Sequence, residues 1–105
     1  MNDTQVILEK IKKSVAVTAP GAKIILYGSY ARGDYHTESD IDVLILVDQE
    51  TIDHEDEKKI AYPLYDIEFE SGRVISPLIR TKTDWNGKYT ITPLFENITK
   101  EGIEL

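Results

Sequence analysis

Residues 41–47, "IDVLILV", are almost continuously apolar, and this run constrains the chain more than any other stretch. A strand with side chains of both parities apolar is buried on both faces, so it belongs at the centre of a sheet with helices on either side. The neighbouring segments supply those elements. "KIILYG" (23–28) is a second β-rich run, and "RVISPLIRT" (73–81) reads as a third strand after the turn "ESGR". Residues 4–17 carry Val6, Ile7, Ile11, Val15 and Val17 among lysines and a glutamate, a helical stripe with Thr4 or Asp3 as cap and "APG" (19–21) as its stop. The tail "TPLFENITKEGIEL" predicts a short helix after Thr92-Pro93, ended by Gly102. The order α-β-α-β-α-β with a C-terminal helix predicts a small α/β sheet protein, one domain over 1–105.

One segment reads two ways. From Thr51 to about Tyr62 the chain is acidic and helix-like, then Pro63 interrupts it. In the following "LYDIEFE", strand alternation puts Asp66, Glu68 and Glu70 on one face and makes a hairpin with 73–80. Alternatively the segment is a helix end with Gly72 as its C-cap. The hairpin is favoured, because proline disfavours an unbroken helix.

At 105 residues the chain buries roughly 60–70% of its unfolded surface in a single core. With 41% hydrophobic and 30% charged residues it is an ordinary globular composition. The absence of cysteine excludes a disulfide framework, a Cys-based zinc site and a thiol nucleophile, and fits a reducing cytosol. No secretory leader pattern and no apolar run near the ~20 residues of a membrane span are present, so a cytoplasmic protein without membrane contact is expected. The net charge of −7, with scattered lysines and arginines, argues against a nucleic-acid phosphate backbone as partner.

Chemistry concentrates in "LYGSYARGDYHTESDIDVLILVD", residues 26–48. Gly28 follows a strand, and Ser29 opens a short helix, "SYARG", closed by Gly33. A glycine lets a phosphate approach the backbone, the serine adds a hydroxyl, and free N–H groups at the helix start favour an anion. Asp34-Tyr35 stands where a P-loop requires Lys-Ser/Thr, which disfavours an ATPase of that kind. Asp40 and Asp42, two apart at the head of a strand, point to one side, roughly 6.5–7 Å apart. A shared divalent cation can join them, and Mg²⁺ takes a few carboxylates together with water and phosphate oxygens. These parts describe metal-assisted transfer on a nucleoside triphosphate. Taken singly, Gly-Ser is a turn and Asp-x-Asp a solvated strand entry; the pairing of the two, with bare acids heading a buried strand, is what a packed core does not require. His36 and His54 have no spaced co-ligands and read as surface residues. Arg32 could reach a phosphate or make a structural ion pair. Trp85 and the tyrosines read as packing, and Asp53, Glu55, Asp56 and Glu57 as a solvated helix face.

"GSYARGDYHTESDID" resembles the Gly-Ser, ten residues, Asp-x-Asp signature of the minimal nucleotidyltransferases in the DNA polymerase β-like superfamily, and a weaker resemblance extends over the whole chain. It implies a small mixed sheet flanked by helices (the polymerase β-like palm), NTP (ATP foremost) bound at Gly28 and Ser29 with Arg32 beside them, and Mg²⁺ held by Asp40 and Asp42. It also implies a small helical partner protein to which AMP is transferred, as in toxin–antitoxin pairs, and leaves a homo-oligomer open. Tyr30 departs from the family pattern, standing where many members have Arg. Larger members use a third carboxylate on the next strand as base. If that position lies in "VISPL", this chain offers only Ser76; if it lies in "YDIEF", Asp66 is the candidate catalytic residue and Glu68 the next. Two functions follow: a nucleotidyltransferase acting on an acceptor hydroxyl, or an NTP- and partner-binding module of the same fold without turnover.

Overall fold

The computed structural model describes residues 3–36 and 38–105. Helix α1 (Asp3–Thr18) leads into β1 (Lys23–Tyr27), the one-turn α2 (Ser29–Arg32), β2 (Ile41–Val47), α3 (His54–Ser71) and β3 (Ile75–Thr81). Then come α4 (Lys82–Asn86), a 3₁₀ turn (Lys88–Ile91), α5 (Pro93–Glu101) and the two-residue β4 (Ile103–Glu104). The strands form one mixed sheet in the order β3-β2-β1-β4, with β2 parallel to β3 and antiparallel to β1, and β4 antiparallel to β1. No helix among the described residues is long and apolar enough to cross a membrane.

Strand β2 is buried on both sides, as its composition predicts. Ile41, Val43, Ile45 and Val47 pack with Ile7, Ile11 and Val15 of α1 and Ile60 and Leu64 of α3. Leu44 and Leu46 face the other way, onto Trp85 and Ile98. The sheet therefore has an α1/α3 side and an α4/α5 side, and every even-numbered residue of β2 belongs to the latter. In α1 the working stripe is Ile7, Leu8, Ile11 and Val15, whereas Val17 is exposed. Trp85 is core, with ring centroids 5.1 Å from Phe95 and 6.1 Å from Tyr89. Helix α5 begins and ends where expected: the Thr92 hydroxyl accepts from Phe95 N at 3.1 Å, Pro93 occupies the first turn, and Gly102 follows the last residue.

The hairpin expected over "LYDIEFE" is not formed. Residues 54–71 are one helix that runs through Pro63. Three features hold it together against the roughly 3 kcal/mol an interior proline costs. Asp53 caps the start, accepting from Asp56 N at 2.8 Å while the Asp56 carboxylate accepts from Asp53 N at 3.3 Å. The acids read as a plain solvated face thus begin the helix, close to its positive dipole end. Ile60, Leu64 and Ile67 continue one apolar stripe across the proline and onto the core. Gly72, in left-handed conformation, closes the last turn by donating to Glu68 O at 2.9 Å. The carbonyl that loses its donor belongs to Lys59, an exposed residue, so the lost bond falls on the solvent side of the helix rather than in the core. Pro63→Ala is accordingly expected to stabilise the chain, by at most about 3 kcal/mol and less once the stiffer unfolded chain of the proline form is counted; denaturant unfolding measures it.

Candidate active site

Between Gly-Ser and Asp-x-Asp the chain begins in α2 and then turns back to β2. β1 and β2 are antiparallel, and their last matched pair is Tyr27 opposite Asp42. Gly28, one residue past Tyr27, is thereby brought against the Asp42 side chain: a Cβ placed on Gly28 would lie 2.5 Å from Asp42 Oδ2 and 3.4 Å from its Cγ. Gly28 also has φ +74°, a conformation that side-chain-bearing residues avoid. His36 shapes the return, donating its N–H to Ser39 Oγ at 2.9 Å and accepting from Glu38 N through Nδ1 at 3.2 Å. It is a loop residue, and His54 lies exposed at the start of α3.

The carboxylates sit on the α4/α5 side. Asp42 has the parity of Leu44 and Leu46 and is half-buried, while Asp40 is exposed at the strand entrance. Burial, then the charge of Asp40, pushes the Asp42 carboxyl above the usual carboxylate range, and Arg32 partly opposes them. Two like charges that disfavour each other's ionisation, with hard oxygen donors open to solvent, fit a hard divalent cation that leaves positions for water and phosphate. Among the described residues no group of three or more His, Cys, Asp or Glu side chains gathers into a metal site.

Ser29 and Tyr30 present the first N–H groups of α2, and no side chain caps them. The Ser29 hydroxyl makes no hydrogen bond among the described residues, leaving it available to a ligand. Tyr30 turns away from this seat. Its ring is buried in the α1/α3 core, stacked on Tyr35 at 4.3 Å, and its hydroxyl accepts from Arg73, whose guanidinium also bonds Thr4 Oγ1 at 3.1 Å. Arg32 is ion-paired, 3.2 Å from Asp34 and 3.3 Å from Glu101. A phosphate must compete with those carboxylates for it.

The third carboxylate is where expectation and structure part. Asp66 lies on an exposed face of α3, in the helix layer on the opposite side of the sheet from Asp42, and is not brought to the pair. Glu68 is engaged elsewhere, accepting the Ile75 N–H at 2.8 Å and so holding the head of β3. The residue in register with Asp42 on the parallel neighbour is Ser76, whose hydroxyl donates to Asp40 Oδ2 at 3.4 Å. Val74, of the same parity and tied to β2 through Ile41 N at 2.8 Å, brings no acid either. The "VISPL" position is the adjacent one. Tyr27 was not singled out from the sequence; its phenol is pushed up by burial and by the charge of Asp42, with Arg80 opposing. Pairing across the strand–Gly-Ser–loop–strand unit was the available signal for it.

A mixed sheet with helices on both sides, a glycine-serine turn and an acidic pair meeting at one sheet edge defines a nucleotidyl-transfer architecture. Residues 8–101 match the model of the nucleotidyltransferase domain, and the chain belongs to that family. "Putative protein adenylyltransferase MJ0141" of Methanocaldococcus jannaschii is 45% identical over 84 residues, covering 73% of this chain and 79% of that protein. Among solved structures, a toxin–antitoxin crystallised with AMP-PNP superposes with a TM-score of 0.66 at 23% identity, over 91% of this chain and 69% of that one. A "putative minimal nucleotidyltransferase" superposes with a TM-score of 0.63 at 22% identity, over 97% and 92%. At those identities the two structures bear on the fold, which they share with this chain.

Proposed function

We propose that this nucleotidyltransferase moves AMP from ATP to a hydroxyl on a partner protein. The observation that carries the reading is the register of Tyr27 against Asp42, which sets Gly28 against the Asp42 side chain with Ser29 next in the chain. The reading of ATP and of a protein acceptor is supported by the adenylyltransferase name of the relative and by the AMP-PNP in the toxin–antitoxin neighbour. The Gly28 turn and the Ser29 hydroxyl orient the triphosphate, and Arg32 balances charge beside the leaving phosphates. Asp40 and Asp42 hold Mg²⁺, which when bound neutralises charge on the transferring and leaving phosphates. The acceptor oxygen attacks the α-phosphorus, the bond from that phosphorus to the bridging oxygen breaks, pyrophosphate departs, and the acceptor proton is released to solvent. Ser76 keeps Asp40 oriented through its hydrogen bond.

The test is label transfer. With Mg²⁺ and a partner protein, ATP labelled at the α-phosphate is expected to label the acceptor, and ATP labelled at the γ-phosphate is expected not to. Asp66→Asn is expected to leave transfer within about twofold of wild type, since a positioned base would be worth 10²-fold or more. Nucleotide binding without any label transfer would make the chain a binding module.

A further inference from the structure

Arg32 closes the one-turn helix that Ser29 opens, and its charge reaches Asp42, yet its guanidinium is already taken by two carboxylates. Nε donates to Asp34 Oδ2 at 3.2 Å and Nη1 donates to Glu101 Oε2 at 3.3 Å. A guanidinium has two edges that grip a phosphate through parallel bonds, Nε with Nη2 and Nη1 with Nη2. Each edge here has one nitrogen engaged. The fold delivers Glu101 to this place by its backbone. β4 pairs Ile103 with Leu26, so the end of α5 arrives beside the Gly28 end of β1. Gly102 fits tightly there, since a Cβ on it would lie 2.6 Å from both Ile25 Cγ2 and Ile98 O.

We propose that Glu101, with Asp34, forms an autoinhibitory contact that weakens the hold of this site on a triphosphate, and that Mg²⁺-ATP binds by drawing Arg32 away from Glu101. The inference rests on the nucleotide reading above. Two carboxylates on one guanidinium leave the group net negative where a polyanion must come, in a chain already at −7. Glu101 is the partner that lets go. Asp34 is two residues from Arg32 and is fixed to the same turn, its N–H donating to Ser29 O at 3.1 Å. Glu101 belongs to another helix, so a change of the Arg32 rotamer parts the two without moving the backbone. The Arg32 and Glu101 side chains are 44% and 39% exposed, and an ion pair so open to water is weak enough for a phosphate to displace. The contact therefore sets affinity within a few fold and does not block the site.

Calorimetric titration of the intact chain with Mg²⁺ and α,β-methylene-ATP, which resists cleavage at the bond to be broken, tests this. Glu101→Gln is expected to tighten binding about two- to fivefold, the scale of one exposed ion pair, and Glu101→Gln with Asp34→Asn by about fivefold or more. The gain should shrink as salt is raised, because the pair is screened. Since Glu101 acts through Arg32, Glu101→Gln is expected to give no gain in an Arg32→Gln background. An equal gain there would show a general field effect and overturn the contact. Unchanged binding in the double variant would overturn it too, and weaker binding would do so by showing that the carboxylates orient Arg32 for the nucleotide. Because binding is read without turnover, tighter binding in the variants with no label transfer would refute AMP transfer and leave this contact standing.

Discussion

Asp40→Asn combined with Asp42→Asn is expected to reduce transfer of the α-phosphate label on the order of 10³-fold and to erase the difference between Mg²⁺-ATP and ATP with chelator in thermal shift assays. The magnitude follows from the several kcal/mol that a metal ion contributes to charge stabilisation in the transition state. A double variant that still responds to Mg²⁺ would remove this pair from the metal site. The same residues make an opposite prediction for stability. Because burial and Asp40 raise the folded-state pKa of Asp42 above its ordinary 3.8, the folded chain binds this proton more tightly than the unfolded chain. That contribution is fully present below the ordinary carboxylate pKa and is lost as pH rises through the raised value. At pH 7 the ionised carboxyl is therefore a liability, and Asp42→Asn in chelator should melt above wild type, the usual sign of a site that trades stability for activity. The advantage should vanish near pH 3, where both forms are neutral.

Gly28→Val is expected to lower nucleotide affinity by 10- to 100-fold, well beyond the roughly fivefold loss from Ser29→Ala that one missing hydrogen bond predicts. Two costs coincide at Gly28. Its backbone lies at φ +74°, and its Cβ would sit 2.5 Å from Asp42 Oδ2, so the valine form must move the carboxylate or the turn. Gly33→Ala separates these costs, because Gly33 also has positive φ, at +83°, yet has nothing within 4 Å of its Cβ position. It should lose about 1–2 kcal/mol of stability and keep its affinity for nucleotide. Calorimetric titration measures the affinities. If Gly33→Ala impaired binding as much as Gly28→Val, backbone strain would be the cause and the contact with Asp42 would be incidental.

Much of this site could be read before any fold was known because its parts are local. A double-sided apolar run identifies β2, Thr92-Pro93 and Gly102 bracket α5, and the Gly-Ser and Asp-x-Asp spacing announces a strand, a turn and a second strand with acids at its mouth. Those signals depend on backbone sterics, hydrogen-bonding side chains and side-chain parity, which neighbours in sequence share. The segment 63–71 could not be settled that way. A proline weighs against helix locally, and only the burial of Ile60, Leu64 and Ile67 against α1 and the sheet outweighs it. With that outcome Asp66 went to solvent on one side of the sheet and Asp42 to the other.

By itself the sequence determined the central strand, the glycine-serine turn, the acidic pair and the family to which they belong, since each is a matter of residue type at short spacing. Tertiary structure alone decided what stands around the pair. Ser76 lies beside it through the parallel register of β2 and β3, Glu68 is committed to the Ile75 amide, and Arg32 reaches Glu101 across 69 residues. The reason is physical: a side chain's partner across a sheet is set by register and by which helix covers which face, and both follow from the packing of distant apolar residues rather than from anything adjacent in the chain.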